Sequence, residues 1–195
     1  MKQFSFAIWA FSALVATAAP AAAQVGGFAG LDFVEAVSKS DGNKVEQLLR
    51  DHPTGLVDAR DGDGNTGLII SIARRDEQWT GFLLNQGADP NLAGKGGDTP
   101  LIIASRIGFG QAAEWLIGMG AKVDATNRMG ETALIAAVQQ RQTPVVRLLL
   151  SAGANPDKSD AAAGYSARQY AERDNRARDI LQLINAKKPK PATTH

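Results

Sequence analysis

Apolar residues along the middle of this chain come in two short bursts per cycle, and the cycle is 33 residues long. The first burst opens at Leu68, Leu101 and Leu134, each followed by an isoleucine at Ile69, Ile102 and Ile135. The second closes on Leu83-Leu84, Leu116-Ile117 and Leu149-Leu150. Polar residues separate the bursts, so each cycle predicts two short helices that each bury one stripe. Thr66, Thr99 and Thr132 stand just ahead of the first helix, where a hydroxyl accepts an orphan amide as N-cap. Pro100 fits the first helical position, since its missing N–H has no partner there. Gly87, Gly120 and Gly153 follow the second helices, at the place for a left-handed helix end. Equivalent positions then stack: Leu68, Leu101 and Leu134 are expected to form one buried ladder, and Phe82, Trp115 and Leu148 another.

Two turn segments keep the same step. One runs Gly87-Ala88-Asp89-Pro90-Asn91, Gly120-Ala121-Lys122-Val123-Asp124 and Gly153-Ala154-Asn155-Pro156-Asp157. The other runs Gly64-Asn65-Thr66-Gly67-Leu68, Gly97-Asp98-Thr99-Pro100-Leu101 and Gly130-Glu131-Thr132-Ala133-Leu134. The chain therefore resembles the ankyrin repeat, whose unit of 33 residues is a β-turn plus two antiparallel helices. The resemblance implies an all-α solenoid of about five helix-turn-helix units joined by short β-hairpin turns. Ile69, Ile102 and Ile135 replace the family's usual histidine, so apolar contact is expected to do the joining of units. Arg75 and Arg141 stand where the family usually has a helix-turn glycine, so a strained left-handed backbone is expected at both.

The ends differ from the middle. Lys2 followed by an apolar run from Phe4 to Ala19, Pro20 and Ala21-Ala22-Ala23 has the layout of a secretory signal peptide, so residues 1–23 are expected to be cleaved after Ala23. Residues 24–187 then form the repeat domain, with units at about 31–60, 61–93, 94–126, 127–159 and 160–187, and residues 188–195 form a disordered tail. Asp32 to Asp51 reads as a degenerate first helix pair with Ala36, Val37, Val45, Leu48 and Leu49 on its apolar face and Asp41-Gly42-Asn43 as its turn. Ser166 to Arg173 and Arg176 to Ala186 read as the closing pair; their hairpin is one residue longer, because Gly164 follows Gly130 by 34. Removing the signal takes Lys+Arg from 21 to 20 against 20 Asp+Glu, so the exported chain is formally neutral and argues against nucleic-acid binding. The chain has no cysteine, which suits an oxidising compartment and predicts stability from stacked apolar layers.

Candidate chemistry is thin. Of the two histidines, His195 lies in the tail and His52 precedes Pro53 with no evident nucleophile or acid beside it, so no catalytic residue is assigned and no enzyme is expected. Asp61-Gly62-Asp63-Gly64-Asn65 imitates a calcium loop, but Thr66 and Ile72 stand where that loop needs Gly and an acid, and the repeat register reads it as a hairpin tip. No cofactor and no metal are expected. What remains is a surface. In the family the resemblance indicates, hairpin tips and first-helix ends line a concave wall. The tip positions here are Asp63, Asn65, Lys95, Asp98, Arg128, Met129 and Glu131; the helix-end positions are Arg74, Arg106, Ile107, Gln139 and Gln140. The expectation is a periplasmic monomer that binds a folded protein partner as adaptor, stabiliser or inhibitor and stays off the membrane once the signal is removed. The alternatives are a secreted effector acting on a host protein or, less in keeping with the residues, an enzyme.

Overall fold

The computed structural model describes residues 28–186, so the expected signal segment and the tail lie outside the described residues. Ten α-helices follow one another in five antiparallel pairs among the described residues. They are α1 (Phe28–Ser38) and α2 (Gly42–Asp51), α3 (Gly67–Ala73) and α4 (Glu77–Asn85), α5 (Pro100–Ile107) and α6 (Gly110–Gly118), α7 (Ala133–Gln139) and α8 (Thr143–Ser151), and α9 (Ala167–Arg173) and α10 (Arg178–Ala186). First helices pack on first helices, α1 on α3, α3 on α5, α5 on α7 and α7 on α9, while second helices flank them in an outer layer. This is an all-α solenoid. Among the described residues the strand-like pairings are three isolated bridges, Arg60 with Thr66, Thr126 with Thr132 and Ser159 with Ser166, each closing a hairpin tip. The last of these spans one more residue than the others, as the spacing of Gly164 requires. None of the described helices is long and apolar enough to cross a membrane.

The caps follow the sequence. The hydroxyls of Thr66, Thr99 and Thr132 accept from the amides of Ile69, Ile102 and Ile135 at 3.3, 3.3 and 3.2 Å. Ser166 makes a reciprocal capping box with Gln169. Gly87, Gly120 and Gly153 end the second helices at φ of 85, 89 and 95°, a conformation that would strain a residue with a Cβ. Arg75 and Arg141 do adopt the left-handed region, at φ 56 and 52°. Ser40, at φ 58°, is the equivalent residue of the first pair. The expected turn at Asp41-Gly42-Asn43 is therefore displaced. Asp41 is the N-cap of α2, its carboxylate accepting from the Lys44 amide, and Gly42 and Asn43 are already helical. The first helix also begins earlier than Asp32, at Phe28, and α10 begins at Arg178 rather than Arg176.

The ladder of Leu68, Leu101 and Leu134 is buried, and Ile69, Ile102 and Ile135 are buried beside it. The second expected ladder needs correction. Phe82, Trp115 and Leu148 are only half-buried; the fully buried rung is the next residue along, Leu83, Leu116 and Leu149, each with 0% of its surface exposed. One residue is about 100° of helix rotation, enough to turn a side chain from between two layers to their outer edge.

Apolar contact is not the sole joint between units. Asp58, Asn91 and Asp124, one per cycle, each accept from a backbone amide of the following unit: Asp89 at 2.9 Å, Lys122 at 2.8 Å and Asn155 at 2.9 Å. These bonds satisfy amides that the loop geometry leaves without a helical partner. Their side chains repeat at the same step as the glycines.

Candidate functional site

Three of the four hairpin tips are each built on one side chain. Asp61 Oδ1 accepts from the amides of Asp63 and Asn65 at 2.9 and 2.8 Å, Asn127 Oδ1 from those of Met129 and Glu131 at 2.9 and 3.0 Å, and Asp160 Oδ1 from those of Ala163 and Gly164, both at 2.9 Å. Short polar side chains that bond their own backbone in this way fix a tight turn. The Asp61 string thus spends its carboxylate on the hairpin. The remaining tip starts at Gly94, where a Cβ would lie 2.6 Å from Asn65 Oδ1 and 2.8 Å from Ile69 Cδ1, so the chain lacks room for an equivalent carboxylate.

The tips are then tied to one another. The Lys95 amide donates to Asn65 Oδ1 at 3.2 Å, the Arg128 amide to the Gly96 carbonyl at 3.1 Å, and the Ala161 amide to the Met129 carbonyl at 2.8 Å. Four successive hairpins become one ribbon whose backbone is held in place before any ligand arrives. Lys95, Arg128 and Met129 project from it, all exposed, Met129 to 57%. Asp63 is exposed and pairs with Lys95 at 3.0 Å across neighbouring tips.

The other expected site residues divide into two groups. Gln139 and Gln140 are exposed at the end of α7, beside the wall that the tips begin. Arg74 is exposed but donates to the Ser38 carbonyl and, at 3.5 Å, to Ser40 Oγ, so it caps the preceding unit. Ile107 is half-buried, and its carbonyl accepts from the Arg75 guanidinium, which also lies 5.6 Å from the centre of the Phe109 ring. Asn65 is half-buried and serves as the link just described.

Asp98, Arg106 and Glu131 belong to one another more than to the surface. Arg106 donates to both oxygens of Asp98 at 2.8 and 3.1 Å and to Glu131 at 2.6 Å. Asn127 Nδ2 completes the cluster with bonds of 2.7 Å to Asp98 and 2.9 Å to Glu131. Glu131, expected as an exposed tip residue, is buried, with 7% of its surface accessible. Asn127 went unnoticed in the sequence. Its signal was present, since it stands one cycle from Gly94 and Asp160 and two from Asp61. Burial works to raise the Asp98 carboxyl, but hydrogen bonds from Arg106 and Asn127 and the Arg106 charge outweigh it and hold the group below its ordinary value. The Arg106 guanidinium is raised, chiefly by its hydrogen bonds to Asp98, against the cost of burial and with help from Glu131. The cluster joins the tip and first helix of one unit to the tip of the next, and so stiffens the wall on which Arg128 and Met129 sit.

A family model described as ankyrin repeats (3 copies) matches residues 33–127, 79–160 and 108–191. No curated relative matches the chain.

Proposed function

The chain belongs to the ankyrin repeat family, a family of protein–protein interaction modules, and from that premise we propose that it is a non-catalytic binding protein of the periplasm that holds a folded partner on its hairpin-tip wall. The observation that carries this reading is the ribbon of hydrogen-bonded tips. A surface fixed in advance loses little conformational freedom on binding, so contacts made by Lys95, Arg128 and Met129 are not offset by ordering the backbone beneath them. Long basic and thioether side chains over a rigid base also suit a partner with an acidic rim and an apolar centre. The periplasmic assignment rests on the leader pattern of residues 1–23 and on the absence of cysteine from the sequence.

The test is capture of a partner from envelope extract by the exported chain, by a variant carrying Lys95→Ala, Arg128→Ala and Met129→Ala, and by a control carrying Glu46→Ala, Arg50→Ala and Arg147→Ala. All six side chains are exposed, so both variants should keep the helical content and unfolding of the parent. The tip variant should lose the partner. Loss in the control with retention in the tip variant refutes the tip wall as the binding face.

A further inference from the structure

A groove runs between α4 and α6 on the outer layer of helices, and no hairpin-tip residue lines it. It encloses about 410 Å³ between Gly81, Leu84, Asn85, Trp115, Gly118 and Met119. A shallower extension continues past Phe82 to Glu77. Trp79 stands edge-on to Phe82, with ring centres 5.5 Å apart and planes at 80°. Leu83 and Leu116 are fully buried, and Trp79, Phe82 and Trp115 pack against that core while part of their own surface stays open.

Two further features give the groove a chemistry. Gly81 sits in the middle of α4 and Gly118 in the last turn of α6, neither with a positive φ. A Cβ at Gly81 would make ordinary contact with Trp115 Cζ3 at 3.5 Å, and one at Gly118 would meet nothing within 4 Å, so alanine fits both places in the free protein. Glycine in a helix is the less stable choice. Here it leaves the floor open for another chain to approach closely. The charge of the rim is one-sided. Glu77 and Glu114 are exposed, neither is in an ion pair among the described residues, and the lining contains no Lys or Arg. One cycle on from Glu114 stands Arg147, which lines a separate cavity against α10, so the acidic character stops at α6.

We propose that the groove between α4 and α6 is a second docking surface, fitted to a partner-protein segment that carries an Arg or Lys side chain flanked by aliphatic ones. The aliphatic groups fill the space over Gly81 and Leu84, and the cation sits between the Trp115 ring and the carboxylates of Glu114 and Glu77. Aromatic faces attract such cations most when water is excluded, and tryptophan is prominent among residues that dominate interface energies.

The probe is a capped peptide, Leu-Arg-Leu flanked by alanines, with its Leu-Glu-Leu counterpart as comparison, titrated against the full chain while the indole N–H signal of Trp115, which lines the groove and its extension, is followed by NMR. The Arg peptide should shift the Trp115 signal saturably, and the Glu peptide at equal concentration should not. Glu77→Gln with Glu114→Gln should weaken the Arg peptide by about tenfold, since two rim charges are lost from a solvent-facing site. These positions are exposed, so folding is not at stake, whereas the plugging variant Gly81→Leu should abolish the shifts with the circular dichroism spectrum as its fold control. No saturable shift up to about 10 mM, an equal response to the Glu peptide, or displacement by choline at the same affinity as the peptide, which marks a pocket for small cations, overturns the proposal.

Discussion

Replacing Arg106 by Met keeps the aliphatic stem and removes the guanidinium that two carboxylates share. Asp98 and Glu131, with side chains 22% and 10% exposed, then face each other across a half-buried joint with only Asn127 between them. Removing one partner of a fully buried pair costs about 3–5 kcal/mol, and a fully exposed pair contributes about 0.2–1 kcal/mol. The Arg106 side chain is 32% exposed, which places this site between those limits, at about 2–3 kcal/mol lost at pH 7. For a domain of this length that corresponds to a melting temperature lower by about 4–12 °C. The pH dependence has a definite sign. In the parent the Asp98 carboxyl is held below its ordinary 3.8, so its contribution is fully present above that value and is lost as pH falls through the lower folded-state value. Without Arg106, burial governs and the carboxyl is raised, so the variant takes up a proton at higher pH and sheds its uncompensated charge. The gap between parent and variant should therefore narrow as pH falls from 7 towards 4. Urea titrations followed by circular dichroism at several pH values measure this. A variant within about 0.5 kcal/mol of the parent at pH 7, or a gap that stays constant down to pH 4, refutes the reasoning.

Ser105 is fully buried with its hydroxyl unpartnered, at a register position held by Ile72 and Val138 in the flanking units, so Ser105→Ala should raise stability by about 1 kcal/mol in urea denaturation, and a loss would show that the hydroxyl is satisfied. Ser40→Gly should stabilise by about 0.5–1 kcal/mol by relieving a left-handed serine whose side chain accepts only a 3.5 Å bond from Arg74. Arg141→Gly should gain less, because it also gives up the 2.8 Å ion pair with Asp174; equal gains in melting temperature for the two changes would contradict that assignment. Mass spectrometry of the exported protein should find a mature chain beginning at Gln24, and a membrane-bound form retaining residues 1–23 would refute the cleavage site.

The sequence made the architecture legible because every device that shapes a unit is local and recurs at one step: the capping threonines, the left-handed glycines and the leucine ladder are each readable from their neighbours alone. The second ladder was misplaced by one residue because Phe82 and Leu83 are both large and apolar, and only the angle at which α4 meets α6 decides which points between the layers. The site was less legible for a different reason. Asp98, Arg106 and Glu131 occupy tip and helix-end positions that suggest a contact surface, yet opposite charges brought together across two units pair with each other first. Asn127 and the acceptors Asp58, Asn91 and Asp124 look like ordinary loop residues unless the spacing of polar positions is followed as closely as that of apolar ones.

Those acceptors carry an order as well as a bond. In every inter-unit bond described above that a backbone amide donates, the donor lies in the later unit and the acceptor in the earlier one. A polypeptide emerges from the ribosome or a translocation channel N-terminus first. Each unit that appears thus finds the oxygen these amides need already standing on the unit before it, whereas the guanidiniums of Arg75 and Arg106 reach forward to Ile107 and Glu131 of the unit that follows. The array is written in the direction in which it is delivered, and its earliest unit is a template rather than merely an end.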